Sequence, residues 1–278
     1  STRLAALEAG EVQVAENLPP DKLASLRDNK DIDVVYTPTL RVDYMVLNHN
    51  NPLIKKVKFR EALSLAIDRQ GIVDNLLGGT TKAANSISPP GTIGYDGSLP
   101  TYAFDPERAK ALLKEAGYNG ETIRVGGPIG RYSMDKQVTE AIGGMLQAIG
   151  INVTVETLAF SSYIPKYYEP AYDLAFIGQT DFTISPHKHW GSIFYSPTAR
   201  HGYSNEEMDK IIAAATVELD DEKAAEWFRQ GQALQRKEFG GALPLYYEPQ
   251  LIGISAKYEG FVPRLDEYIT VTTVQPKP

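Results

Sequence analysis

Residues 121–158, "ETIRVGG" followed by "SMDKQVTEAIGGMLQAIG" and "INVTVETL", constrain the fold more than any other part of the chain. They read as strand, helix and strand, with Gly150 ending the helix, and the length suits a parallel βαβ crossover. A parallel pair with its helix needs a layered α/β architecture.

The rest of the chain fits such a layer. "DPERAKALLKEAGY" is a well-marked helix, with Asp105 at its N-cap, Pro106 at its first position and Gly117 as its stop. From Val57 the spacing of Phe59, Leu63, Ala66 and Ile67, continued by Ile72, Val73, Leu76 and Leu77, predicts one helix ending at Gly78-Gly79. "DIDVVYTPTLRVDYMVLNHN" predicts two strands separated by Thr37-Pro38, and "ALPLYYEPQLIGIS" two more around Glu248-Pro249. Ser204 and Glu207 have the spacing of a capping box ahead of "MDKIIAAATVEL". The fold class expected is mixed α/β, without internal repeats.

Composition removes several function classes. With 278 residues, 42% of them hydrophobic, a substantial core is expected. No apolar run reaches the roughly 18 to 20 residues of a membrane helix. The net charge is -7 and the basic residues are dispersed, which argues against nucleic acid as a partner. The absence of cysteine excludes disulfides, thiolate nucleophiles and zinc ribbons.

Few local motifs carry chemistry. His187 and His189 in "SPHKHW" would share one face of a strand and could chelate a transition metal, but Pro186 disturbs a regular strand and no third ligand stands nearby. "GGPIGR" at 126–131 has only a superficial likeness to a phosphate loop, since no lysine follows it. The 16 tyrosines are more informative, gathered in "FSSYIPKYYEPAYDLAF" and "PLYYEP". Such rings, flat and apolar with a polar tip, suit either a core or a pocket for a polar small molecule.

Five passages in the same order resemble one family. They are "RLAALEAGEVQVAENLPPDKL", "VKFREALSLAIDRQGIVDNLLGG", "SPPGTIGYD" with "FDPERAKALLKEAGY", "GRYSMDKQVTEAIGGMLQAIGINVTVE" and "ALPLYYEPQLIGISAKYEGF". The chain looks like the C-terminal part of a family 5 extracellular solute-binding protein, the ABC-importer receptors for peptides, nickel, opines and some sugars. The core R-x-A-L-x-x-A-I-D-R, here Arg60 to Arg69, is the most specific sign.

The resemblance implies a type II periplasmic-binding-protein-like α/β fold with one complete lobe and part of the other. Residues 1–41 and 243–278 would belong to the first lobe and 42–242 to the second, the N-terminal part of the full protein being absent. It also implies a non-enzymatic receptor that needs no cofactor, closes two lobes on a small solute and delivers it to ABC permease subunits. Peptides are the first ligand class expected, opines or oligosaccharides the next, and the alternative from another class is a metal-assisted hydrolase. The compartment implied is the periplasm, or the outer surface through a membrane anchor in a Gram-positive source. A lobe without its partner would expose its cleft wall, so self-association is expected.

Peptide receptors of the family hold the ligand's amino group with an acid in a motif like G-W-x-A-D-Y, and "GQTDFTISP" is the matching passage, one residue shorter. Asp181 falls at the acid's place, Gln179 where tryptophan is common, and Phe176 where some oligopeptide receptors have a basic residue. Glu248 occupies a position that is tyrosine in some relatives. Around Asp181 the expected ligand-binding residues are Gln179, Arg131, Tyr132, Phe176, Tyr167, Phe160, Trp190 and Tyr247, with Tyr163 a further ring that could line the pocket.

Overall fold

A computed structural model describes residues 2–180, 185 and 187–278. The predicted crossover is present: β-strands Thr122–Ile129 and Asn152–Ala159 pair in parallel along their whole length, and the helix Asp135–Ala148 packs across both. Val138, Ile142 and Leu146, one per turn, bury the helix's apolar face.

In chain order the strands are β1 (Val14–Ala15), β2 (Ile32–Leu47), β3 (Thr122–Ile129), β4 (Asn152–Ala159), β5 (Leu174–Thr180) and β6 (Ala242–Ser255). They form one sheet in the order β1-β6-β2-β5-β3-β4. The strands β2 and β6 run antiparallel as a long ribbon, whereas β5 and β4 lie parallel to β3. Tyr258–Glu259 and Gln275–Pro276 make a separate small ribbon.

The ribbon corrects the expectation of four short strands. Pro38 pairs with Pro249, and neither has an N–H to give, yet both keep an extended backbone, so each strand continues through its proline. Just beyond, the register shifts between Pro38 and Val42. The amides of this break find other acceptors: Leu40 donates to the Leu265 carbonyl at 2.8 Å and Arg41 to Thr39 Oγ1 at 3.2 Å.

The helix predicted from Val57 is in fact two, α3 (Val57–Ala66) and α4 (Arg69–Asn75). Ile67 is extended, and Asp68 caps α4 by accepting from the Gly71 amide at 2.8 Å. An aspartate is a poor helix-interior residue and a strong N-cap, so the break falls where the acid stands. Asp105 caps the helix Pro106–Glu115 (α5) as expected. The helix α6 is Asp135–Ala148, and α7 (Phe160–Tyr168) and α8 (His187–Ile193) lie where no element was predicted. Asn205, not Ser204, caps α9 (Glu206–Val217), its side chain accepting from the Met208 amide at 2.9 Å; α10 (Asp221–Glu238) follows.

Arg60 and Asp68 do not meet. The Arg60 guanidinium donates to the carbonyls of Ile54, Lys55, Glu238 and Phe239 at 2.9–3.2 Å, fastening the start of α3 to the end of α10. Arg60→Ala is expected to cost roughly 2–4 kcal/mol, read from denaturant unfolding, because four carbonyls, that of Ile54 fully buried, lose their donor. Ligand affinity of the folded full-length protein should stay unchanged; an affinity loss at unaltered stability would contradict this role.

The main core lies between the sheet and the helices α3, α5, α6, α9 and α10. A separate apolar cluster of Leu4, Leu7, Leu18, Leu23, Leu26, Ile32 and Leu251 sits beneath α1 (Thr2–Glu8) and α2 (Leu23–Arg27), on the far side of the register break.

Candidate functional site

In parallel sheets, ligands collect beyond the carboxyl ends of the strands, where loops diverge. Here β3 ends at Ile129 and β5 at Thr180, beside the register break of the long ribbon. The loop after β3, residues 130–134, faces the N-terminal segment across a cavity of about 570 Å³. Thr2, Arg3 and Asn17 to Pro20 form one wall, Gly130 to Met134 the other, and Glu248 lies between. A smaller cavity of about 190 Å³ adjoins it and is lined mostly by charged and amide groups, among them Glu16, Arg41, Arg131, Glu248 and Glu267.

The loop is held by two carboxylates. Asp135, at the first turn of α6, accepts from the amides of Gly130, Arg131 and Tyr132 at 3.0, 2.7 and 3.0 Å. Glu248 accepts from the next amide, Ser133, at 2.8 Å. Met134 then takes a left-handed backbone, φ +54°, which a non-glycine residue adopts only where its surroundings enforce it. Four successive amides tied in this way present a fixed wall rather than a free loop.

Behind that wall lies an unusual run of charges on one face of β2 and β6. Arg41 forms a two-pronged pair with Glu267, at 2.9 and 2.7 Å. Burial opposes the Arg41 charge, and the hydrogen bond and charge of Glu267 more than offset it, so its pKa is raised. Asp43 is 0% exposed and Glu248 8%. Both oxygens of Asp43 and Oε2 of Glu248 are buried, with Tyr246 and Arg41 the nearest groups acting on Asp43 besides Glu248. Burial, then the neighbouring Glu248, pushes the Asp43 carboxyl well above the usual carboxylate range, and burial also raises Glu248. Gly178 opposite Asp43 makes room for the pair, since a Cβ there would collide with the Asp43 carboxyl.

The structure divides the expected ligand residues between two faces. Arg131, Tyr132, Phe160 and Phe176 come together: the Arg131 guanidinium lies 5.1 Å from the Tyr132 ring centre and 5.7 Å from that of Phe160, and Tyr132 meets Phe176 edge-on at 5.6 Å. Gln179 and Tyr247 both pair with Val42 and so project from the opposite face, Gln179 accepting from Tyr44 Oη at 2.7 Å. Tyr247 donates to Asn85 Oδ1 at 2.7 Å and lines a different cavity, about 680 Å³, with Tyr95 and Leu265.

Tyr167 packs against Tyr163 and His201, and Tyr163 is buried with its hydroxyl on the Phe176 carbonyl at 2.7 Å. Trp190 is wholly buried, its Nε1 donating to Ser88 Oγ at 3.3 Å, which is the core reading of that ring. Asp181 lies outside the described residues. His187 and His189 stand on α8, where residues two apart point to different sides, so the strand chelate does not form. Among the described residues no group of three or more His, Asp or Glu could hold a metal ion.

Sequence reasoning overlooked Asp43, Arg41, Asp135 and Glu267. One signal was available: Asp43 interrupts the otherwise apolar end of β2, "VDYMVL", where an unpaired acid has no structural use.

Comparison with known proteins agrees with this architecture. Residues 1–200 match the family model described as bacterial extracellular solute-binding proteins, family 5 middle. The chain is similar to the dipeptide-binding protein of Escherichia coli (strain K12), 27% identical over 247 residues, covering 86% of this chain and 46% of the relative. It is 26% identical to the probable D,D-dipeptide-binding periplasmic protein DdpA of the same organism, covering 99% of this chain and 54% of that one. The chain thus spans about half the length of the curated relatives it matches. Among solved structures, HbpA2 from Haemophilus parasuis superposes with a TM-score of 0.84 at 25% identity, over 100% of this chain and 56% of that one. The fold is the α/β fold of type II periplasmic binding proteins, and the chain belongs to the bacterial extracellular solute-binding proteins of family 5.

Proposed function

We propose that this chain forms part of the ligand cleft of an ABC-importer receptor, contributing to both of its walls, that captures a small polar solute outside the cytoplasmic membrane, a peptide or peptide-like compound before an opine or oligosaccharide. The observation that carries the reading is the loop 130–134, held rigid by Asp135 and Glu248 and facing the N-terminal segment across a cavity of about 570 Å³. A wall with arginine, aromatic rings and carboxylates offers complementary partners to a zwitterion with apolar side chains. The names of the relatives, a dipeptide-binding and a probable D,D-dipeptide-binding protein, support peptides as the ligand class.

In this reading, residues 1–41 and 243–278 belong to one lobe and 42–242 to the other, and closure brings the cavity walls together on the ligand. The register break between Pro38 and Val42 supports a crossing at that point. The permease would recognise the closed state, with no catalysis by this subunit. Exposed Val262, Tyr268 and Val271 support self-association of the chain by itself. Calorimetric titration of the full-length protein with panels of dipeptides, oligosaccharides and opines tests the proposal. Saturable binding confined to the dipeptides is the expected result; binding of sugars or opines alone would move the ligand class, and silence in every panel would end the receptor reading.

A further inference from the structure

We propose that Arg41, Thr39 and Thr180 form a carboxylate site beside the cleft, that Glu267 of the C-terminal segment occupies it as a built-in competitor, and that Glu267 thereby sets how well a solute's acidic group is accepted. The inference rests on the receptor reading above and deepens it, naming the ligand group and the residue that governs its selection.

The cradle is assembled without help from its occupant. The Arg41 side chain is 7% exposed, donates through Nη1 to the Gly178 carbonyl at 3.4 Å and has its Cζ 5.6 Å from the centre of the Tyr132 ring. The Thr39 hydroxyl accepts from the Arg41 amide at 3.2 Å, and Thr180 pairs with Arg41 at the end of β5. Into this setting Glu267 places both carboxylate oxygens. Its Oε1 accepts from Arg41 Nε, Thr39 Oγ1 and Thr180 Oγ1 at 2.9, 3.1 and 3.4 Å, and its Oε2 from Arg41 Nη2 at 2.7 Å. A side-on guanidinium flanked by hydroxyls recognises the carboxylate group, whichever molecule bears it.

The occupant is held less firmly than the cradle. Glu267 has a left-handed backbone, φ +65°, a region that non-glycine residues rarely adopt. Its amide reaches the Arg264 carbonyl, and its carbonyl the Gln250 Nε2, each at 3.3 Å. Around it Leu265, Tyr268 and Val271 are exposed, so little apolar packing presses the segment down. The Glu267 side chain is 25% exposed and lines the cavity of about 190 Å³ that adjoins the larger one, within reach of a solute in the cleft. Among the described residues, the other acids of this cavity have partners elsewhere: Glu16 lies 3.9 Å from Arg3, and Glu248 accepts from the Ser133 amide. A buried Arg41 with no carboxylate bonded to it would be an uncompensated charge, so the site holds either Glu267 or an equivalent anion. Exchanging one carboxylate for another leaves the charge there unchanged, and the tethered one competes at high effective concentration.

Glu267→Ala in the full-length protein vacates the cradle. In thermal melts at equal ionic strength, replacing sodium chloride by sodium acetate should raise its melting temperature by about 1–2 °C more than that of the wild type, as a small ligand of the folded state does. The double variant Arg41→Gln/Glu267→Ala should lose this extra rise. Calorimetric titration with Ala-Glu and Glu-Ala, against Ala-Gln and Gln-Ala, reads the consequence for solutes. With Glu267 competing, the wild type should bind acidic and neutral members within about threefold of each other. In Glu267→Ala the ratio should move about ten- to a hundredfold toward the acidic members, the range for a charged hydrogen-bond partner gained. Glu267→Gln, which loses the charge and keeps the side chain's size, should move the ratio in the same direction. No extra stabilisation by acetate, an extra rise that survives the loss of Arg41, or an unchanged ratio would each overturn the site while leaving the receptor standing. Silence of every dipeptide would instead end the peptide reading and this site's assigned ligand with it, the acetate melts still deciding whether the cradle takes a free carboxylate.

Discussion

Arg69→Ala is expected to lower the unfolding free energy by about 4 kcal/mol or more, a larger loss than any surface change should cause. Arg69 is 2% exposed and pairs with no carboxylate among the described residues. Its guanidinium donates instead to the carbonyls of Pro244, Ser64 and Ile67 and to Ser64 Oγ, at 2.6–3.3 Å, with its Cζ 4.8 Å from the centre of the Tyr102 ring. Burial pulls its pKa down to about 10, which still leaves it charged at neutral pH. Removing it strips the donor from the end of α3, the start of α4 and strand β6 together. Chemical denaturation reads the loss, and a change under about 1 kcal/mol would show that those carbonyls find water instead. Arg69→Lys should recover little, since a point-like ammonium cannot span three carbonyls set in a fork.

Trp190→Ala is expected to cost about 3–5 kcal/mol, the range for emptying a large aromatic site. The ring packs against Phe194 at 5.0 Å and Phe228 at 5.8 Å, between α8 and α10, and Gly231 on α10 gives it room. Variants still folded at low temperature should bind the solute as the wild type does, because the ring is sealed from both cleft cavities. A melting temperature close to wild type combined with lost binding would return Trp190 to the ligand site.

These two residues mark the limits of what the sequence shows. The crossover and the α5 helix with Asp105 and Pro106 are local patterns, and the structure carries them as expected. Asp68 splits the predicted helix because a side chain that caps well competes with helix continuation, a choice that periodicity alone does not reveal. Pro38 and Pro249 were read as breaks, yet facing each other they interrupt only a hydrogen bond and not the direction of the strands.

The candidate site was legible in one cluster, Arg131, Tyr132, Phe160 and Phe176, because those residues sit at the ends of recognisable elements. Gln179 and Tyr247 were grouped with them, but only strand pairing decides which face a residue takes, and both share a face with Val42 instead. Asp43 and Glu248 lie on strands far apart in the chain. Their meeting is a property of the register between β2 and β6, which no local pattern contains.

The facing prolines have a mechanical consequence. A two-stranded ribbon is normally stiffened at even intervals by its ladder, and here one rung is missing at Pro38 and Pro249 and the next are displaced through Val42. At that gap each strand is held from outside the ribbon, β2 to the C-terminal segment through Arg41 and Glu267, and β6 to the loop before α6 through Glu248 and the Ser133 amide. The joint therefore takes its stiffness from the segments on either side of it rather than from its own ladder, while the paired stretches beyond remain as rigid levers.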